Sequence, residues 1–332
     1  MFKKKKAVIP TANVDEQTFS CDCKVTQDEF TWVGQDAGKM QQIPRKSVSY
    51  FKDAMSRLYH DKIAMTLIII LGIIIFCSFI LPFFTSYNMS EMHIEHVNKG
   101  MFYVSPEGHF HIFGTDSLGR DSFARIWNGG QISLTIAFVA VAINCLVGIV
   151  YGGISGYFGG AVDNVMMRIV EIINGIPYLL IVILLMTVIP PGIGSIIIAY
   201  AAVGWVGMAR LVRGQIIQLK EQEFVISART MGASATRILS KHLVPNILSI
   251  IIVNLTLAIP SAIFTEAYLS FIGIGVPIPY ASWGTLANEG ITNFQSYPIQ
   301  LLLPAFFISI TMLSFNLLGD KLRDAFDPRL RR

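Results

Sequence analysis

Charged and polar side chains are concentrated in residues 215–246, between two long apolar runs of the chain. A charge at the centre of a bilayer costs roughly 2.5–3.5 kcal/mol, whereas a leucine or isoleucine returns only about 0.3–0.6 kcal/mol. The segment therefore cannot span a membrane, and we expect it to lie at a membrane face. Its charged residues are Lys220, Glu221, Glu223, Arg229, Arg237 and Lys241.

The same segment, which we call the elbow, has the pattern of two short helices joined by a turn. Gly232 is suited to end the first helix, Ser234 to cap the second, and Pro245 to begin the next membrane helix. The apolar face of the first helix comprises Phe224, Val225, Ala228 and Met231. The second helix groups Ile238, Leu239, His242 and Leu243. An ordinary amphipathic interfacial loop is the alternative interpretation.

The spacing of the elbow resembles the cytoplasmic coupling loop of ATP-binding-cassette (ABC) importer permeases. That loop has the pattern Glu-Ala-Ala, three residues, Gly, nine residues, then Ile-x-Leu-Pro. The residues that keep this register are Ser227, Ala228, Gly232 and Pro245. The positions that depart from it are Ile226, in place of the glutamate, and His242 and Val244, in place of the isoleucine and leucine.

The resemblance implies a contact between the elbow and an ATPase subunit. Gly232 and Pro245 would preserve the shape of the elbow, and Met231 would fill a groove on the ATPase together with Ala228. Glu223, one helical turn before Ile226, is a candidate for the acidic contact. The predicted coupling residues are therefore Glu223, Ser227, Ala228, Met231, Gly232 and Pro245.

The composition indicates a polytopic membrane protein. The chain is 53% hydrophobic and 14% charged, with a mean hydropathy of +0.55, which is too apolar for a soluble domain of 332 residues. Cys21 and Cys23 lie in a polar tail and Cys77 and Cys145 in apolar runs, so we predict neither a disulfide framework nor a metal site.

Charge-free apolar runs predict an all-α fold with six transmembrane helices and the elbow as a coupling-helix loop, similar to a type I ABC importer permease. The predicted spans are 63–90, 131–162, two within 172–209 separated by a turn at 190–192, 243–265 and 299–318. The predicted regions are a tail at 1–62, a permease domain at 63–320 with an outer loop at 91–130 and the elbow at 215–246, and a tail at 321–332. Pro177 should kink the third span.

Two further patterns concern the second span. The string GTDSLGRD at 114–121 fits an ion-paired turn that caps the helix after it, formed by Asp116, Arg120 and Asp121. The same string closely resembles one found in C-type dipeptide and oligopeptide permeases, and the family resemblance extends from Gly114 to the C-terminus. Glycines recur every fourth residue at Gly148, Gly152, Gly156 and Gly160, which favours close helix packing over a role in a pore.

The distribution of basic residues predicts the orientation. With the N-terminus inside, every Lys and Arg falls on the inner side except Lys99, Arg120 and Arg125. We therefore expect both termini and the elbow in the cytoplasm of a bacterial cell, with the spans in its plasma membrane.

The energy source for transport separates the candidate functions. The sequence contains no G-x-x-x-x-G-K-[ST] phosphate loop, so we predict no catalytic residues and no cofactor in this chain. The resemblance implies a pore-forming ABC importer subunit that acts with a homologous second permease, two cytoplasmic ATPases that bind ATP and Mg, and an extracytoplasmic peptide-binding protein. It implies no nucleic-acid partner. Oligopeptides are the favoured substrates, because the long tail and outer loop resemble that branch.

Several alternatives stay open at this point. The substrates could be dipeptides or nickel chelates, and the chain could be an ion-coupled secondary transporter or a membrane scaffold. A peptide path should be wide and mostly neutral, which makes amides and one acidic group the candidates to line it, although each could also bridge helices. These candidates are Asn144, Asn174, Asn254 and Glu266.

Overall fold

The computed structural model describes residues 50–85, 92–106, 108 and 110–327, and these are mostly helical. Most of the predicted N-terminal tail, the end of the first predicted span and residues 328–332 lie outside these ranges. Helix α1 (Tyr50–His60) leads through Asp61 into α2 (Lys62–Ile80), which continues as a 3₁₀ turn over Leu81–Phe83. The Asp61 carboxylate caps α2 by accepting the amide hydrogens of Ile63 and Ala64.

A short antiparallel hairpin marks the opposite end of α2. Strands β1 (Tyr103–Val104) and β2 (Phe110–His111) pair with Tyr103 opposite His111. Helix α3 (Ser122–Phe158) follows and is capped by Asp121. It begins inside the predicted outer loop, before the predicted start of the second span at residue 131. We call the end of the bundle that carries the β1–β2 hairpin and the start of α3 the hairpin end.

The third predicted span is broken. Helices α4 (Gly160–Asn174) and α5 (Tyr178–Val188) meet at an angle of 81°, with Pro177 at the start of α5, so the proline produces a break and not only a kink. Helix α5 has 11 residues, or about 16 Å, which is too short to cross a ~30 Å hydrocarbon core alone. The turn predicted at residues 190–192 is present before α6 (Ile193–Leu219).

The elbow begins in the last turn of α6, and its remainder consists of several short helices. They are α7 (Glu223–Thr230), α8 (Ala235–Ile238), a π-helical turn over Leu239–Leu243 and α9 (Val244–Asn246). The remaining helices are α10 (Leu248–Phe271), α11 (Trp283–Thr292) and α12 (Ile299–Phe326). Helix α12 continues beyond the predicted end of the sixth span, into the segment assigned to the C-terminal tail.

Within the described ranges, five helical segments are long and apolar enough to cross a membrane, and the α4–α5 pair makes a sixth if it counts as one broken span. The five are α2 with its 3₁₀ turn, α3, α6, α10 and α12. The predicted all-α polytopic fold is thus confirmed, with its third span discontinuous.

Helices α3 and α6 are packed along a glycine seam. A Cβ atom added at Gly152 would lie 2.2 Å from the Ala209 carbonyl oxygen, and one at Gly156 would lie 2.9 Å from the Arg213 carbonyl oxygen. Gly148 similarly faces Met208. The predicted packing role of the stripe is confirmed for these three positions. Gly160 lies beyond the end of α3, with open space around it.

Helices α1 and α12 pack against each other at the end of the bundle that carries the elbow, which we call the elbow end. Ala54 and Leu58 of α1 are buried with Leu322 and Phe326 of α12. Beside them the Lys321 ammonium lies 2.9 Å from the Asp61 carboxylate. The hydrogen bond from Lys321 holds the pKa of the Asp61 carboxyl below its usual range.

Candidate functional site

The first helix of the elbow ends in a Schellman motif. Gly232 adopts a φ of +81°, and its amide donates to the Arg229 carbonyl at 3.0 Å. The Ala233 amide donates to the Ala228 carbonyl at 3.0 Å. A Cβ at Gly232 would meet no atom within 4 Å, so only the left-handed backbone requires glycine here. The predicted helix stop is confirmed.

The second half of the elbow also begins as predicted. The Ser234 hydroxyl accepts the Arg237 amide hydrogen and caps α8. Pro245 occupies the first turn of α9, a single turn that ends before the long helix α10 begins. The proline therefore starts the connection to the membrane helix and not the membrane helix itself.

A fully buried apolar base holds the elbow on the bundle. Val225, Ile238 and Leu243 are each 0% exposed. They share one cluster with residues at the end of α6 and at the start of α10, namely Val212, Ile216, Ile247 and Ile251. Because buried residues of this size interdigitate at close to crystal density, the elbow and the ends of these two helices form one rigid unit.

Helix α3 joins this unit through two contacts near its C-terminus. The Lys220 ammonium donates to the Gly156 carbonyl at 2.8 Å. The Arg229 guanidinium lies over the Tyr157 ring, 5.6 Å from its centroid. The elbow is thus anchored to α3, α6 and α10 together.

The outer face of the elbow projects from this base. Met231 is 87% exposed, an unusual position for a large apolar side chain, and its exposed neighbours are Glu223, Phe224, Ile226 and Ser227. Ala228 is predicted to fill a groove on the ATPase together with Met231. In the structure it is half-buried and packs against the base, so it does not project with Met231. Three of the predicted coupling residues, Glu223, Ser227 and Met231, therefore share one accessible face.

Two of the asparagines predicted to line a substrate path lie together. Asn144 of α3 and Asn254 of α10 line one cavity of about 240 Å³ with Tyr200 and Gly204 of α6. The Asn144 side chain fits because Gly204 has no Cβ, which would lie 2.2 Å from the amide nitrogen. Within the described part of the chain, the Asn144 side-chain oxygen has no hydrogen-bond partner.

Asn174 of α4 lines two further cavities along α6. One, of about 480 Å³, shares Gly204 and Gly207 with the Asn144 cavity and includes the break at residues 175–177. The other, of about 760 Å³, shares Asn174 and Gly175 with it and reaches Arg210 and Arg213. We call the three cavities together the α6 groove, which contains all three predicted asparagines.

Glu266 lies apart from this groove, in a buried network. It is 1% exposed and lines none of the three cavities. Ser133 and Ser270 each donate a hydroxyl to one of its carboxylate oxygens at 2.7 Å. The Trp283 amide donates to Ser133 at 3.2 Å, which connects the network to the start of α11. The structure thus does not bring Glu266 together with the asparagines.

An ion cluster at the hairpin end confirms one prediction and adds a residue that sequence reasoning missed. Arg120 Nε lies 2.6 Å from the Asp116 carboxylate, and Asp121 caps α3 through the Ala124 amide, as expected of the GTDSLGRD turn. The added residue is Glu289 of α11, which pairs with both Arg120 and Arg125. No local pattern signals this contact, because its partners are far apart in the chain.

Comparison with known proteins gives two family matches. Residues 148–332 match the family described as binding-protein-dependent transport system inner membrane component. Residues 49–101 match the N-terminal transmembrane domain of oligopeptide transport permease C. The first match includes the elbow and the α6 groove except its lining from α3 around Asn144, and the second includes α1 and α2.

Curated relatives match almost end to end. The oligopeptide transport system permease protein OppC of Bacillus subtilis (strain 168) is 46% identical over 93% of this chain and 99% of its own length. The dipeptide permease DppC of the same organism is 46% identical over 92% of this chain and 94% of its own length. Among solved structures, the inward-facing MetNI methionine ABC transporter matches with a TM-score of 0.46 and 17% identity, over 59% of this chain and 94% of that chain. The chain belongs to the oligopeptide and dipeptide permease family, as a C-type membrane subunit of a binding-protein-dependent ABC importer.

Proposed function

We propose that this chain is a pore-forming subunit of an ATP-driven importer that takes up oligopeptides. The observation that carries the proposal is the exposed face of the elbow on a rigid buried base, because such a surface can receive a force and pass it on. The near full-length similarity to permeases named for oligopeptides and dipeptides supports peptides as the substrate class.

The complex would lie in a lipid bilayer and contain three further kinds of subunit. They are a homologous second permease, two ATPase subunits that bind ATP and Mg, and an extracytoplasmic peptide-binding protein. The absence of a phosphate loop from the sequence supports the assignment of ATP hydrolysis to partner subunits.

The elbow would face the cytoplasm of a bacterium, with both chain termini on the same side of its plasma membrane. Arg210, Lys220 and Arg237 at the elbow end support this orientation. At the hairpin end, Arg120 and Arg125 are neutralised by Asp116 and Glu289, so they weigh little against it.

The elbow would couple ATP hydrolysis to transport as a rigid connector. Glu223, Ser227 and Met231 contact the ATPase, while Ala228, Gly232 and Pro245 preserve the shape of the contact surface. Closure of the ATPase dimer displaces the elbow, and its buried base transmits the displacement to α6 and α10.

The α6 groove would form this chain's part of the peptide path. The side-chain amides of Asn144, Asn174 and Asn254 can each donate to and accept from the backbone of a passing peptide. The orphaned oxygen of Asn144 supports this role, since a buried polar atom without a partner costs free energy that a ligand can recover. We assign Glu266 to the packing of α3, α10 and α11.

Co-purification in mild detergent, followed by an ATPase assay, tests the proposal. We expect a second permease and ATPase subunits to accompany the chain and hydrolysis to rise when peptide-loaded binding protein is added. Uptake by the purified chain alone under an ion gradient would instead establish a secondary transporter, and partner binding without flux would establish a scaffold. Competition between dipeptides and longer peptides decides the substrate length, because the two named relatives are equally similar.

A further inference from the structure

The cavity of about 760 Å³ at the elbow end of the α6 groove has an unusual charge distribution. Three arginines line it, Arg168, Arg210 and Arg213, with Glu171 as the acidic residue among its lining. The cavity also contains Asn174 and Gly175, through which it joins the remainder of the groove. It is large enough for the end of a peptide.

Two of the three arginines are already neutralised. Arg213 binds Asp163 with two parallel contacts, Nε to Oδ1 at 2.5 Å and Nη2 to Oδ2 at 2.6 Å. Arg168 Nη1 lies 2.8 Å from Glu171 Oε2. These two pairs leave the charge of the third arginine, Arg210, uncompensated.

Arg210 is exposed and forms no hydrogen bond or ion pair within the ranges that the structure describes. It stands one helical turn from Gly207, which lines the adjoining cavity. A guanidinium presents its N–H groups in a planar fork that matches a carboxylate, and its charge is retained at every physiological pH. The position thus suits an anionic group that arrives along the groove.

The break between α4 and α5 lies on the same route. Residues 173–178 line the middle cavity, so an irregular backbone faces the groove where a continuous helix would present only side chains. In membrane transporters, irregular backbone inside the hydrocarbon region is tolerated where it lines a cavity, and such discontinuous helices commonly form substrate sites.

We propose that Arg210 binds the C-terminal carboxylate of a peptide at the elbow end of the α6 groove, and so favours substrates with a free carboxyl end. The proposal rests on the proposed function. It assigns to this one side chain a preference that the neutral asparagines of the groove cannot supply.

The test uses the complete complex reconstituted in liposomes. Uptake is measured for one peptide as the free acid and as the C-terminal amide, a pair chosen because both stimulate the wild-type ATPase. We expect Arg210→Gln to lower uptake of the free acid about two- to five-fold, the range for a solvent-exposed ion pair, and to leave uptake of the amide unchanged. Arg210→Lys should restore part of the loss.

Arg323→Gln is the matched control. Arg323 of α12 is also exposed, has no described partner, and lines a fourth cavity of about 760 Å³ at the same end of the bundle. That cavity shares Asn254 and Leu257 with the Asn144 cavity but is lined by neither Asn174 nor Arg210. The proposal is overturned by equal losses for acid and amide, by no loss, or by a selective loss in the Arg323 variant. It is also overturned if the loss follows the anionic lipid content of the liposomes, which would identify a lipid headgroup as the ligand. Failure of the proposed function looks different, because the wild-type complex would then take up neither peptide.

Discussion

Arg125 and Glu289, separated by 164 positions, form a two-pronged ion pair, with Nη1 2.6 Å from Oε2 and Nη2 3.0 Å from Oε1. Arg125 is in the first turn of α3 and is almost fully buried, whereas the Glu289 side chain in α11 is 38% exposed. The pair fixes the start of α3 against α11. It also accounts for a charged residue near the beginning of a transmembrane helix.

Replacing Glu289 should destabilise the hairpin end. In Glu289→Gln, Arg120 and Arg125 keep only Asp116 as a carboxylate partner, and we expect a loss of about 1–3 kcal/mol. The loss is measured as a lower midpoint of thermal unfolding in detergent. Glu95→Gln serves as control, because Glu95 is exposed at the same end and pairs with no described residue. Equal midpoints for both variants would show that the ion pair contributes nothing to stability.

The glycine seam offers two adjacent positions with opposite expectations. Gly152→Ala places a methyl group 2.2 Å from the Ala209 carbonyl oxygen, so α3 and α6 must move apart. We expect a cost of about 1–3 kcal/mol and reduced assembly of the complex. At Gly153 the nearest atom to an added Cβ is 3.7 Å away, and Gly153→Ala should behave as wild type. Similar unfolding midpoints for the two variants would contradict close backbone packing.

Gly232 should affect coupling more than folding. A Cβ there meets no neighbour, yet the left-handed backbone costs any other residue roughly 1–2 kcal/mol and distorts the end of α7. We expect Gly232→Leu to assemble with its partners but to abolish peptide uptake. Gly214→Ala, an open position on α6 with an ordinary φ, is the control. Retained uptake in Gly232→Leu would count against a coupling role for the elbow.

Met231 should be required for binding of the ATPase subunits and not for folding of this chain. A charge at an 87% exposed position leaves the fold unchanged, but in an apolar groove of a partner it would be buried without a counter-ion. Met231→Asp should therefore release the ATPase subunits during purification at an unchanged unfolding midpoint. Met92→Asp, at an exposed methionine of the hairpin end, should retain them. Retention in both variants would remove Met231 from the interface.

The contact between Asp61 and Lys321 should give a small dependence of stability on pH. The pKa of Asp61 is lower in the folded chain than in the unfolded chain, because Lys321 binds the ionised form. The contribution is thus complete above the unfolded pKa of about 3.9 and is lost as pH falls through the lower folded value. Asp61→Asn should unfold at a slightly lower temperature than wild type at pH 7 and at the same temperature in strong acid. A difference that persists in strong acid would assign the effect to capping of α2.

The local features of the elbow are predictable from sequence because their causes are local. Gly232 ends a helix through its own φ, and Ser234 caps one through an amide three residues away. Hydropathy likewise locates most spans, since membrane insertion depends on the sum over neighbouring residues. It places the start of α3 too late, because Arg125 is charged and only the folded chain supplies Glu289 to neutralise it.

Tertiary contacts decide what the pattern leaves ambiguous. Glu266 resembles any acidic residue near a helix end until Ser133 of α3 joins Ser270, on the same helix as Glu266, at its carboxylate. Gly156 and Gly160 have the same spacing in the stripe, yet only Gly156 reaches α6 before α3 ends. The break at Pro177 has a local cause, but its 81° angle depends on what α4 and α5 pack against.

Helix α3 extends for 37 residues, or about 55 Å, from the cluster of Arg125 to the contacts of Gly156 and Tyr157 with the elbow. One helix thus connects the hairpin end of the bundle to the elbow. Thermodynamic linkage then makes the two sides reciprocal. If docking of a binding protein at the hairpin end biases the position of α3, it must change the affinity for nucleotide at the other end by the same factor with which nucleotide changes docking.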